Sequence, residues 1–456
     1  MRSLLRSRRG SVAFATVIAL VPLIGVVALG GEAGSWYVTK QHAQNAADAA
    51  AVSGAMQQLC ISNAPCAVTQ TVDYRAKQSA AANAFCNAGS TAYPGSQCST
   101  SLPVGVSQTV QIASLTSWNG TAGTYVQATV SQQQPAYLAQ VLGLTTVNIP
   151  ATAVASVKSV LFPPCVLTLK GSISFQGSPN INAPNCGMAS NSTAKDAINF
   201  TGGGMSMNLG SLSTVGGCTG AASFCNTALK YLPAPTTNPF SALDDALTTL
   251  CGANPILPAK CGLPKCSGSD LVAYTAATPC TNDNTSTKGN TAFNLVSGVS
   301  VYFISGTLSL KGGSSITCNS PCTGVTFILL PGASIDTKGG GTLTLKGPAT
   351  APSASSLPAA LQSSAALFQY MSMYDVSASP VQFGGNSNIT LTGNIYAPNA
   401  DVTFQGNPTI AVGGTGDSCG QLIAKSIAFN GNATFDTTGC PSQTKLPKSQ
   451  YVQLVQ

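Results

Sequence analysis

Side chains able to do chemistry are sparse here. Hydrolysis of a glycan needs two carboxylates flanking the bond, or a calcium cluster with a basic residue nearby. Only Asp244 and Asp245 are adjacent; Asp336, Asp375, Asp401, Asp417 and Asp436 stand singly, Glu32 is the sole glutamate, and His42 is the sole histidine. The sixteen cysteines all lie at or beyond Cys60, with no C-x-x-C pair among them. A zinc centre drawn from Cys251, Cys261, Cys266 and Cys280 is the sharper reading of that set. An even count confined to one side of an apolar segment reads instead as up to eight disulfides in an oxidising compartment. Cys60 with Cys66, Cys86 with Cys98, Cys218 with Cys225, and Cys318 with Cys322 are the near-neighbour candidates, and spacing leaves connectivity open. No catalytic, cofactor or metal residue is assigned, and the chain is not expected to be an enzyme.

The apolar segment that divides the cysteines from the N-terminus runs from Val12 to Gly30, 19 residues without a charge. That is about the ~20 residues needed to cross a ~30 Å hydrocarbon core as a helix. Arg2, Arg6, Arg8 and Arg9 precede it and only Lys40 follows closely, which places the N-terminus in the cytoplasm. Pro22 falls inside the run, and Trp36 and Tyr37 stand where interfacial aromatics would anchor the far end. A cleaved secretory signal is the rival, with Ala28-Leu29-Gly30 as its small-x-small site. Helical character continues past that cut, however: residues 43–55 hold seven alanines in thirteen, the strongest helix-forming composition. Ala43, Ala46, Ala47, Ala50 and Gly54 form a small-residue face that permits close helix packing.

Arg9-Gly10-Ser11-Val12-Ala13, the apolar span, Glu32, Gly34, Trp36-Tyr37 and Gln44-Asn45-Ala46-Ala47-Asp48-Ala49-Ala50-Ala51 together resemble the N-terminal region of TadG-like proteins of the tight-adherence (Flp) pilus-assembly system. The resemblance extends with less force through Tyr125 to Ala155, about the first third of the chain. Glu32 stands where the family usually carries aspartate. The resemblance implies membrane anchoring and a role in building or presenting a pilus-like assembly, with envelope or pilus-assembly proteins as partners, and it implies no catalysis. Prepilin-peptidase processing has no support in the residues, because a cut after Gly10 would want glutamate where Ala15 stands.

Only 7% of the 456 residues are charged, unlike a typical cytosolic surface. Four arginines in the first ten residues supply four of the formal +7, leaving about +3 elsewhere, so a nucleic-acid partner is unsupported. From Cys60 to about Val160, helix-compatible spacing and then alternating strands (VGVSQTVQIA, TYVQATV, VNIPATAVASV) predict a small α+β domain of pilin-like plan. Beyond Pro163-Pro164 one phrase recurs. Phe175-Gln176-Gly177-Ser178-Pro179-Asn180-Ile181 returns as Phe404-Gln405-Gly406-Asn407-Pro408-Thr409-Ile410, with looser copies from Phe383, Phe429, Phe200 and Leu310. Periods of 21 and 25 residues suggest stacked coils, with Gly at corners needing positive φ. The prediction is a β-solenoid, a right-handed parallel β-helix, with an antiparallel β-sandwich as the alternative.

Asp375-Val376-Ser377-Ala378-Ser379 matches the D-x-S-x-S of a von Willebrand factor A metal site. Pro380 and a strand-like VQFGG follow where a helix should start, and 77 residues remain after Ser379, too few for the rest of that fold.

The expected fold class is therefore α+β with a large all-β part. Its divisions are a cytoplasmic basic stub (1–11), a transmembrane helix with an alanine-rich stalk (12–58), the small domain (59–160), and the solenoid (161–445) with a Cys-rich insertion at about 218–292. The segment from Ala349 is read as a flexible loop. The expected role is an inner-membrane, single-pass envelope protein whose partners are the lipid bilayer, pilus-assembly proteins and a glycan or other surface. A membrane-tethered carbohydrate-active β-helix enzyme is the alternative.

Overall fold

The computed structural model describes residues 8–62, 70–90, 92–98, 102–251, 261–268, 270–283, 291–385, 387–407, 409–411, 420–437 and 446–456. They divide into two compact units, Met1–Lys158 with Tyr451–Gln456, and Ser159–Gln450.

The first unit is organised by α1 (Arg8–Ser62), a single 55-residue helix with Pro22 inside it. Its early part exposes Ile18, Leu20, Leu23, Ile24, Val26 and Val27, and the helix is long and apolar enough to cross a membrane. Its later part is buried. A second helix, α2 (Val72–Ala82), is capped by Thr71, whose hydroxyl accepts a hydrogen bond from the Tyr74 N–H. Strands β1 (Ser107–Trp118), β2 (Thr121–Pro135) and β3 (Thr146–Ser159) pair antiparallel in sequence order. The strand Gln450–Leu454 completes the sheet beside β3, so the second unit is an insertion between neighbouring strands.

The alanine-rich segment, expected as a stalk with a helix-packing face, is the central helix of this unit. Ala43, Ala46, Ala47 and Ala50 are fully buried, in one cluster with Ala76, Ala80, Val126, Ala128, Ala153 and Ala155. Small side chains let the helix lie close on the sheet and on α2; a Cβ at Gly54 would sit 2.8 Å from Val126 Cγ1. The absence of a Leu or Ile stripe thus reflects close packing rather than solvation.

The second unit is a 20-stranded sheet whose pairings are parallel. Successive strands fall into three ladders. One carries the recurrent phrase: Phe383, Phe404, Phe429, Phe175 and Phe200 are register partners in that order. Adjacent rings stack with centroids 5.5, 5.1, 5.4 and 4.8 Å apart. Beside them Gly385, Gly406, Gly431 and Gly177 are also partnered, each with positive φ. A Cβ at Gly431 would lie 2.8 Å from the Gly406 carbonyl oxygen, so glycine is needed there both for conformation and for the approach of one turn to the next.

The order of the ladder departs from the order of the chain. Residues 164–219 stack beyond the C-terminal strand Leu422–Gly431, which pairs with Pro164–Thr168 and Ile173–Gly177. The chain enters in the middle of the sheet, builds one end, and restarts at the other end with Ala292–Asn294. Because the turns around Phe383, Phe404, Phe429, Phe175 and Phe200 present the same Phe-x-Gly edge, the turn containing Phe175 fits the turn containing Phe429 as well as a sequential neighbour would.

A third ladder is buried on both faces. Tyr302, Phe327, Met373, Ile395, Leu422 and Val166 belong to the internal core. Their neighbours Phe303, Ile328, Tyr374, Tyr396, Ile423 and Leu167 form a second cluster, with Phe240, Leu243 and Leu247 from the insertion and Leu357, Leu361, Leu367 and Phe368 from the segment after Ala349. That segment, expected to be a flexible loop, contains short helical turns whose leucines are buried against the sheet.

Candidate functional site

The predicted membrane anchor lies on α1. Pro22 and Gly30 are in its exposed stretch, Trp36 is half-buried, and Tyr37 is exposed. Val12 is helical, and its side chain lies outside the described residues. The most specific arrangement is centred on Glu32, just beyond the apolar run. Its Oε1 accepts a hydrogen bond from the Tyr137 N–H at 2.6 Å, and its Oε2 accepts one from the Ala139 N–H at 2.7 Å. The Leu138 N–H reaches both oxygens, at 3.2 and 3.1 Å. Three successive amides of the loop between β2 and β3 therefore converge on one carboxylate, a charge-assisted arrangement at the start of the short turn Ala139–Leu142. Just over two turns further on, the Lys40 ammonium donates to the Pro150 carbonyl, and one turn beyond that Gln44 Nε2 donates to the Thr152 carbonyl at 3.3 Å. Together they fix the register of α1 along β3. The sequence singles out Glu32 only as part of a pattern; its partners are more than a hundred residues away and carry no signature, because they are backbone.

Cys86–Cys98, Cys218–Cys225 and Cys318–Cys322 are disulfides. Cys60 is disulfide-bonded, and Cys66 lies outside the described residues. The zinc alternative is displaced by two further bridges, Cys251–Cys261 and Cys266–Cys280. Another, Cys165–Cys186, ties two neighbouring strands of the third ladder. Among the described residues no group of three or more His, Cys, Asp or Glu side chains is placed to hold a metal ion.

Asp244 and Asp245 do not form a carboxylate dyad over a cleft. Asp244, on the helix Ser241–Cys251, points at the third ladder. Tyr374 donates to its Oδ1 at 2.9 Å and Tyr396 to its Oδ2 at 2.6 Å, while Asn238 Nδ2 donates to the Tyr396 oxygen at 2.8 Å. The two tyrosines stack 5.3 Å apart on adjacent turns. Burial raises the Asp244 pKa against the pull of both tyrosine hydrogen bonds. Burial, and then the Asp244 charge, push both tyrosines far above the ordinary phenol range. The cluster locks the insertion helix onto the sheet.

Asp375, the first residue of the D-x-S-x-S stretch, is fully buried. Its Oδ1 accepts from the Ser377 N–H at 2.8 Å, and Oδ2 has no hydrogen-bond partner. Burial pushes its pKa up to about 7. The stretch is a turn that ends a strand, with Ser377 Oγ accepting from the Ser379 N–H at 3.2 Å. Asp401 sits on the surface, where hydrogen bonds from Ser426 and Lys425 outweigh burial and lower its pKa; its ion pair with Lys425 spans 3.0 Å. Asp417 lies outside the described residues.

A long apolar helix seated on a small antiparallel sheet, with a large parallel-β insertion, defines the architectural class. Residues 10–57 match the family model Tad, Flp pilus-assembly TadE/G-like. Residues 272–438 match a domain of unknown function, DUF7305. No curated protein matches the sequence. Among solved structures, the DUF3494 domain of a Shewanella frigidimarina ice-binding protein is similar at 14% identity, covering 62% of this chain and 99% of that one with a TM-score of 0.28.

Proposed function

We propose that this chain is a single-pass inner-membrane protein that acts as a non-catalytic component of Flp pilus assembly, or of a related secretion or adhesion apparatus, and carries a β-helical ectodomain across the membrane. The observation that carries the reading is the Tad match over residues 10–57, which falls on a helix whose early apolar side chains are exposed. The β-helical reading is supported by the three parallel ladders and the stacked Phe and Gly rows. The orientation is supported by the arginines before the span and the disulfides beyond it. Envelope and pilus-assembly proteins are the proposed partners, and a glycan or other surface is the proposed ligand of the β-rich unit.

The test is crosslinking in intact cells followed by purification of the tagged full-length chain, with protease protection of spheroplasts to read orientation. Recovery of Flp assembly proteins, and degradation of the β-rich unit from the outside, are expected. Recovery of none, together with turnover of a polysaccharide panel by the purified protein, would overturn the proposal in favour of a tethered carbohydrate-active enzyme.

A further inference from the structure

The strands of the first unit run alongside α1, and this sets which end of the sheet meets the bilayer. Glu32 contacts residues 137–139, Lys40 contacts Pro150, Gln44 contacts Thr152, and Gly54 lies against Val126. Moving up α1 from the apolar run therefore means moving along the sheet away from the loop joining β2 and β3. That loop, with the turn preceding β1, is the end nearest the membrane. Register confirms that they share one end: Pro135 pairs with Thr146, Ser107 pairs with Gln133, and a Cβ at Gly105 would lie 2.8 Å from Pro135 Cγ.

Among the described residues this end exposes apolar side chains around the Glu32 carboxylate. Tyr137 is 72% exposed, Leu138 43%, Leu144 49%, and Val104 93%. Neither residues 102–106 nor residues 136–145 include a charged side chain. Its height is set by Glu32, two residues and thus about 3 Å of helix rise beyond Gly30. The headgroup region extends roughly 5–7 Å beyond the hydrocarbon on each side. Taking Gly30 as the hydrocarbon edge, the loop amides bound to Glu32 lie within that layer.

We propose that the β2–β3 loop, through Tyr137, Leu138 and Leu144, together with Val104, is a second membrane contact that rests in the headgroup layer beside the span, with Glu32 holding the loop at that depth. This rests on the reading that α1 crosses the bilayer. A tyrosine with flanking leucines suits the place, since amphipathic aromatics favour the interface and leucines add apolar burial. Two contacts at one level fix the orientation of the first unit against the bilayer, which one helix alone leaves free.

The test uses the full chain in liposomes of phosphatidylethanolamine and phosphatidylglycerol containing doxyl-labelled lipid, with tryptophan fluorescence as the readout. In a Trp36→Phe, Trp118→Phe background, single tryptophans are placed by Val27→Trp, Tyr137→Trp or Leu144→Trp. A Trp36→Phe protein retaining Trp118, at the opposite end of β1, is the distant reference. Tyr137→Trp and Leu144→Trp are each expected to be quenched at least threefold more than Trp118, with Val27→Trp quenched most. Quenching of Val27→Trp, with both loop tryptophans no more quenched than Trp118, overturns the inference alone. Failure of Val27→Trp to be quenched overturns the membrane reading on which it rests.

Discussion

Phe429 stacks on Phe175 with ring centroids 5.4 Å apart, the junction at which the last turn of the chain meets the first turn of the β-rich unit. A residue pair beside it, Asn182 and Asp436, is hydrogen-bonded across 254 positions of sequence. The junction is no looser than those between consecutive turns. Phe429→Ala should therefore destabilise the unit by about 3–5 kcal/mol, as for other buried aromatics, measured as the denaturant midpoint of the solubilised full chain. A loss under about 1 kcal/mol would mean that the junction is not a packed interface.

The glycine row makes a sharper distinction. Gly431→Ala combines positive φ with a Cβ pressed on the Gly406 carbonyl, whereas Gly203 has nothing within 4 Å of the same position. Gly431→Ala should lower the thermal midpoint clearly and Gly203→Ala should leave it nearly unchanged. Equal effects would show that the corner conformation is not what selects glycine.

Tyr396→Phe removes a donor from a buried carboxylate and strands Asn238 Nδ2. The expected loss is about 1–3 kcal/mol, with faster hydrogen exchange confined to the helix Ser241–Cys251. Tyr374→Phe acts on the same carboxylate, so the double variant should lose less or more than the sum, never simply the sum. Additivity would sever the link through Asp244.

Asp375 supplies a pH dependence of defined sign. Its folded pKa, about 7, is raised above the ordinary carboxylate value by burial. Its contribution to stability is therefore fully present below pH ~4 and is lost as pH rises towards 7, by up to ~1.4 kcal/mol per pH unit in that window. Asp375→Asn should flatten the decline and be more stable than the parent at pH 8, with little difference at pH 4. A variant less stable than the parent at pH 8 would show that the buried carboxylate has a compensating partner.

Ala47→Leu forces a larger side chain between α1 and the sheet. Overpacking of this kind destabilises by about 1–3 kcal/mol, and the loss should appear in the isolated full chain, read by thermal unfolding, without any partner present. Stability unchanged in the purified protein, with partner capture lost in cells, would return the alanine face to an intermolecular role.

Much of this architecture is legible in the residues, but unevenly. The apolar run and alanine composition mark α1 because helix signals are local. What covers Ala43 and Ala50 is not legible, since the cover comes from Ala76, Val126 and Ala153. The Phe-x-Gly phrase discloses the ladder but not its order, because identical edges carry no address. The continuous apolar runs 301–304 and 327–330 were the available sign of a strand buried on both faces. They point to a covering layer, which the insertion and the segment after Ala349 supply. Near-neighbour cysteines pair as short loops favour, whereas Cys165–Cys186 depends on two strands being laid side by side.

The placement of the β-rich unit between β3 and the strand Gln450–Leu454 bears on how it could be shed. Its chain leaves the first unit through one strand and returns through the neighbouring one. A single protease cut between 160 and 449 that falls outside the disulfide loops yields two fragments, one covalently attached to α1 and the other still clasped by the sheet. Release of that fragment from α1 therefore requires a second event, either another cut or the peeling away of that terminal strand.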